Sequence, residues 1–250
     1  MAQQIQPDVP QVSDNQADLA IKKGDQAGRP SVLFALPVEQ RASFLKAVWA
    51  VLWKDLAAEL RSRELLSAML VFALLVILVF NFALELDFSA RATVTAGVLW
   101  VTFAFAGTLG LNRSMAMEKD RGCLDGLLLA PVDRSAIYFG KMIGNLLFML
   151  IVEAIVLPVY SVLYNTNLFI SGLIGVILLG SLGYVVVGTL LASMAVQTRT
   201  RDVLLPILLF PVVIPVLIAA VKASTGILRG DPANEIWASI HLLIAYDVIF

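Results

Sequence analysis

The sequence predicts an all-α fold, a polytopic membrane helical bundle, and three observations predict it. The 250-residue chain is 59% hydrophobic with a mean hydropathy of +0.86, above the roughly half-apolar make-up of a soluble domain. Its apolar residues fall in long runs, and about 20 of them at 1.5 Å rise cover a hydrocarbon core about 30 Å thick. Its charges, 18 basic against 19 acidic, gather between those runs and form no clustered basic face, which argues against nucleic acid as a partner.

Residues 1–40 are rich in Gln, Asp, Lys and Pro and poor in apolar residues. They read as a mobile N-terminal tail. No apolar core of signal-peptide length precedes Leu65, and Asp8, Asp14, Asp18 and Asp25 stand where transit peptides avoid acids. From Arg41 to Phe250 the chain reads as one transmembrane domain. It opens with an amphipathic helix over residues 41–64: Phe44, Val48, Val51, Leu52, Leu56 and Leu60 recur at helical spacing, and Lys46, Lys54, Asp55, Glu59 and Arg61 fill the other face. Trp49 and Trp53 suit the headgroup level, so this helix is expected to lie along the membrane surface. An ordinary cytoplasmic helix is the alternative.

Six spans are expected. The first covers about Leu65 to Leu84, and the second, after a polar turn at Glu85, Asp87 and Arg91, about Thr93 to Leu111. The third covers about Met142 to Tyr164 and ends at Asn165-Thr166-Asn167. The fourth covers about Phe169 to Val196, the fifth about Val203 to Val221, and Lys222 to Glu235 reads as a polar loop. The sixth begins near Ile236; what remains is too short to span alone, so a truncated last span is expected. Lys46, Lys54, Arg61, Arg63, Arg199, Arg201 and the basic residues of 112–141 fall on one side, against Arg91, Lys222 and Arg229 on the other. That bias places the N-terminus and residues 112–141 in the cytoplasm.

Residues 112–141 are an island of charge between two apolar runs, with Arg113, Lys119, Arg121, Arg134 and Lys141 inside it. A first helical piece fits from about Ser114 to Leu129, with apolar Met117, Leu124, Leu127 and Leu128 and charges between them. Pro131 ends it, since proline lacks an amide donor, and Asp133 is placed to N-cap the next helix. Such a piece either docks a partner protein or lies on the membrane, or it is a charged loop that only maintains topology.

Inside the spans, Glu153 is the ionisable residue near the centre of the third. Its cost in hydrocarbon turns it toward the bundle interior, as a proton or substrate contact or as an interhelical hydrogen bond. Pro158 follows it, and the fifth span carries Pro206, Pro211 and Pro215. Each removes a backbone hydrogen bond, so all four are read as helix kinks. Gly140 and Gly144, Ser171 and Gly175, and Gly188 and Ala192 are small pairs that permit close helix approach. Residues 175–181 imitate half a phosphate-binding loop but lack its lysine, so no nucleotide site is expected in this chain. One cysteine, Cys123, and one histidine, His241, offer no disulfide and no metal cluster; haem ligation by His241 is the less common reading beside an interfacial polar residue. No catalytic residue and no directly bound cofactor are expected.

Several stretches together resemble the cytochrome c maturation protein B family: Leu52 to Glu64; Glu118 to Pro131 with Ile137 to Lys141; the proline span Leu205 to Pro215; and Leu242 to Phe250. The resemblance covers Arg41 to Phe250. It implies an ABC-2-like exporter permease of six spans in a bacterial inner membrane. It implies haem as the possible substrate, ATP supplied through a separate ABC ATP-binding subunit, and partners in a haem-handling membrane subunit and a haem chaperone. The ATPase is then expected to dock on the coupling region 112–141, with Glu118, Asp120 and Arg121 in polar contact, Leu124 and Leu127 filling a groove, and Gly122 allowing close approach. A permease for a lipid, drug or polysaccharide and a non-transporting scaffold are the rival readings.

Overall fold

The computed structural model describes residues 43–83, 88–120, 122, 126, 132–196, 198 and 200–250, without the side chains of 88–93 and Ala233. The tail 1–40 lies outside them, as do Arg121, Cys123, Leu124, Leu127 and Pro131. The described residues form seven α-helices and no strand: α1 Phe44–Ser62, α2 Glu64–Ala83, α3 Phe88–Asp120, α4 Arg134–Leu163, α5 Ser171–Ala195, α6 Arg201–Arg229 and α7 Ala233–Ile249. Five of them, α2 to α6, are long and apolar enough to cross a membrane; α7 has 17 residues and falls short.

The corner between α1 and α2 follows from two residues. Arg63 adopts the left-handed conformation, φ 54°, and its amide donates to the Glu59 carbonyl at 2.6 Å. The buried Glu59 carboxylate accepts the free amides of Leu65 at 3.3 Å and Leu66 at 2.8 Å, so one acid both ends α1 and caps α2. On α1, Val48 and Val51 of the apolar stripe are buried, but Phe44 and Leu60 of that stripe are exposed and Glu59 of the polar face is buried, while Trp49 and Trp53 stack on the outward face with ring centroids 6.4 Å apart.

The bundle core holds Trp100, Phe103, Tyr160 and Tyr184 as its largest buried side chains. Each polar tip among them finds a partner, as hydrocarbon surroundings demand. The Trp100 indole donates to Ser224 Oγ at 2.9 Å, and the Tyr160 hydroxyl donates to the Thr95 carbonyl at 3.0 Å. The Tyr184 and Thr108 hydroxyls lie 2.5 Å apart and both reach the Ala104 carbonyl. α5 packs against α3, α4, α6 and α7, and is therefore central. Glycines set its separations. A Cβ at Gly180 would enter the Trp100 ring, and one at Gly188 would enter Leu111. Of the other small pairs, Gly140 lies against α1, where an added Cβ would stand 2.7 Å from that of Val51, whereas Gly175 meets nothing within 4 Å.

Three boundaries differ from the sequence reading. The second span does not stop at Leu111: α3 continues to Asp120, so Ser114 to Asp120 is the end of a spanning helix rather than the start of a surface piece. Likewise α4 begins at Arg134, a full two turns before Met142, with Asp133 at the N-cap position but no side-chain cap bond. In both cases charged residues find partners in the protein, so the helix continues past the apolar run. The expected loop from Lys222 is also helical: α6 continues through the buried Gly226 and ends only at Gly230, whose φ of 75° closes it. Pro158, Pro206, Pro211 and Pro215 all lie inside continuous helices. The Tyr246 hydroxyl donates to the Val212 carbonyl at 3.1 Å, bracing the proline-bearing stretch from α7.

Candidate functional site

The charged residues that flank segment 121–133 converge on the middle of α1, at Lys54 and Asp55. The last turn of α3 carries Glu118 and the second turn of α4 carries Lys141. Between them and α1 lies a four-charge cluster. Lys141 Nζ is 2.7 Å from Asp55 Oδ2 and 2.7 Å from Glu118 Oε1. Lys54 pairs with the same Glu118 oxygen and lies 3.3 Å from Asp55. Lys141 is only 3% exposed and Glu118 7%. Two cations and two carboxylates cancel, which is the condition for keeping charges out of water.

Glu118 Oε2 is buried with no hydrogen-bond partner among the described residues. Beside it is a cavity of about 140 Å³, also lined by Lys54, Asp55, Ser114 and Phe148. That volume exceeds the room one water needs, so the second oxygen has space for solvent. Burial opposes the charge on Lys54, but the hydrogen bond to Glu118 and the negative charges of Asp55 and Glu118 outweigh it. The ammonium is held above its ordinary pKa.

Outer ion pairs tie neighbouring helix ends together. Arg201 at the start of α6 grips Asp120 through both terminal nitrogens at 3.1 to 3.3 Å. Asn112 donates to Asp202 at 2.9 Å, Lys119 donates to the Val196 carbonyl at 2.7 Å, and Arg113 pairs with Glu64. The ends of α1, α2, α3, α4, α5 and α6 on this side are thus joined polar group to polar group.

The sequence-derived site residues separate into three groups here. Glu118, expected in polar contact with an ATPase subunit, is buried in this chain, and its charge is matched by Lys54 and Lys141 inside the protein. Asp120 and Gly122 are exposed. Gly122 has φ 66° and its amide donates to the Lys119 carbonyl at 3.0 Å, so it closes α3 in a conformation that glycine adopts without strain. Arg121, Leu124 and Leu127 lie outside the described residues.

Glu153 stands apart from this site. It is 2% exposed, its Oε1 accepts from the Ser181 hydroxyl of α5, and its Oε2 has no partner among the described residues. Asn145, two turns before it, donates to Thr189 at 3.1 Å. Lys54, Asp55 and Lys141 were missed as site residues, although Lys141 directly precedes an apolar run and Lys54 and Asp55 lie on the polar face of α1. Among the described residues no group of three or more His, Cys, Asp or Glu could hold a metal ion.

Three curated proteins, each named "Heme exporter protein B", are similar to this chain. The one from Rhodobacter capsulatus is 28% identical over 175 residues, 68% of this chain and 78% of that protein. The one from Bradyrhizobium diazoefficiens is 25% identical, over 74% of this chain and 84% of its own length. The one from Paracoccus denitrificans is 27% identical, over 75% and 87%. The family described as "CcmB protein" matches residues 46–250, which takes in every described helix apart from the first two residues of α1. A multi-pass bundle of apolar helices, gathered at one end by buried ion pairs and matched along nearly its whole described length, belongs to the CcmB protein family.

Proposed function

We propose that this chain is the membrane subunit of an ABC-type exporter that acts in haem delivery for c-type cytochrome maturation. The observation that carries this reading is the family match over residues 46–250, together with relatives named for heme export. The chain lies in the inner membrane with its N-terminus and residues 112–141 in the cytoplasm. A separate ATP-binding subunit docks on 112–141, and a haem-handling membrane subunit and a haem chaperone complete the assembly.

The four-charge cluster supports a mechanical account. The stems of the docking segment are α3 and α4, and Glu118 and Lys141 clamp them to each other and to α1. Closure of the paired ATPase subunits pulls on the segment. With buried charges at the base, the stems and α1 move as one body, because separating them would strand a charge in a low-dielectric site. The proline-bearing α6 accommodates that motion, and ATP hydrolysis resets it.

Deletion and complementation test the reading. A deletion strain should lose c-type cytochromes and keep b-type ones, and this chain should restore them. Loss of both classes in the deletion strain, or failure of this chain to restore the c-type cytochromes while it is present in the membrane, would overturn it.

A further inference from the structure

An apolar cleft runs between α3 and α6 on the outside of the bundle. Trp100, Val101, Ala104 and Phe105 form one wall, and Phe210, Leu217, Ile218 and Val221 form the other; its volume is about 350 Å³. The Phe105 and Phe210 rings, 5.3 Å apart, close its inner end. Trp100 is locked into its wall, because its indole donates to Ser224 of α6 and its ring fits only where α5 has Gly180. Lys222 stands at the open end, exposed, with no hydrogen-bond or ion-pair partner among the described residues.

The dimensions are those of one membrane leaflet. α6 starts at Arg201, which pairs with Asp120 at the coupling end. Lys222 lies about 31 Å further along the helix, the thickness of the hydrocarbon core, which puts its ammonium at the opposite headgroup level. Phe210 lies about 18 Å back from Lys222, near the bilayer midplane. The cleft therefore begins at mid-membrane, opens sideways to lipid, and ends at a cation among headgroups. An acyl chain matches its length and its wholly apolar lining. The unmatched ammonium suits a phosphate that carries no ammonium of its own.

We propose that this cleft is a binding site for an anionic phospholipid of the leaflet opposite the coupling segment, with its chain against Trp100 and its phosphate on Lys222. Trp100 makes the test site-specific. In a variant with Trp49, Trp53 and Trp237 replaced by Phe, it is the remaining tryptophan. The full chain is reconstituted in phosphatidylcholine nanodiscs containing acyl-brominated phosphatidylglycerol or acyl-brominated phosphatidylcholine, and Trp100 quenching is read. Phosphatidylglycerol is expected to half-quench at about fivefold lower mole fraction than phosphatidylcholine, the advantage of one lysine near an anionic lipid. Lys222→Gln should erase the difference and Lys222→Arg should retain it. Native mass spectrometry of the wild-type chain, which needs no tryptophan changes, should show phosphatidylglycerol retained over phosphatidylcholine and the preference lost in K222Q. Equal quenching by both lipids, a preference that survives K222Q, or a second copy cross-linked through cysteines placed at Phe105 and Ile218 would overturn the assignment.

Discussion

At the scale of single residues, the buried charges make distinct demands. Lys141 is 3% exposed and serves both Asp55 and Glu118, whereas the Lys54 side chain is 39% exposed. Removing one partner from a buried cluster costs about 3–5 kcal/mol, because the remaining charges stay desolvated. Lys141→Met should therefore sharply lower the detergent unfolding temperature, and Lys54→Met should lower it much less; a reversed order in a fluorescence-detected thermal assay would contradict the clamp. The pH dependence follows from Lys54, whose folded pKa lies above its ordinary value of 10.5. A raised pKa contributes stability that is complete below about 10.5 and is lost as pH rises through the folded value. The thermal transition should fall more steeply above pH 10.5 in the wild type than in Lys54→Met, as a pH series of melts would show. Glu153 differs again. It meets Ser181 across a helix interface, and among the described residues no charged side chain is paired with it. Glu153→Gln can keep that hydrogen bond, so assembly and c-type cytochrome content should both persist; normal assembly with lost cytochromes would instead mark a proton or substrate contact.

At the scale of helices, closeness of approach distinguishes positions that look alike in sequence. Gly175 and Gly180 sit in the same apolar run of α5. Gly180 faces the Trp100 ring and Gly175 faces open space. Gly180→Val forces apart α3 and α5, and overpacking of this kind costs about 1–3 kcal/mol or more. Gly175→Val should be close to neutral. Comparing monodisperse yield in size-exclusion chromatography checks both, and equal yields would mean that α5 has slack at Trp100. The α1–α2 corner shows how an element boundary arises. Glu59 satisfies two orphan amides of α2, and Arg63 takes the left-handed turn. An acid on the polar face of an amphipathic helix gives no hint of this in sequence. The reason is that its partners belong to the next helix.

For the whole molecule, the ion pairs of Lys54, Asp55, Glu118, Lys141, Arg113, Glu64, Arg201 and Asp120 gather where α1 and the ends of α2, α3, α4 and α6 meet. The helices on either side of residues 121–133, α3 and α4, belong to this joined part of the bundle. If the ATPase grips the segment between them, Arg121→Glu should weaken co-purification of that subunit about tenfold or more, since a reversed interfacial charge leaves its partner desolvated and repelled. Membrane insertion should be unchanged, because no span is altered. Wild-type pull-down at stringent salt would return the segment to a topological loop.

The sequence by itself determined that the chain is a bundle of membrane-crossing helices, since runs of about 20 apolar residues have few other fates in water. It located five of the spans to within a few residues in their apolar parts, and it marked 112–141 as distinct. The helix ends were less legible. Hydropathy drops at Leu111 and rises at Met142, yet α3 and α4 extend through the charges between. Only the tertiary structure decided that Glu118 turns inward. Its position depends on Lys54, Asp55 and Lys141, which come from two other helices, and no local pattern encodes which distant charges will share one low-dielectric site. The same holds for the cleft beside Trp100. Its walls come from residues far apart in the chain, and its length is set by how two helices cross one leaflet rather than by any contiguous motif.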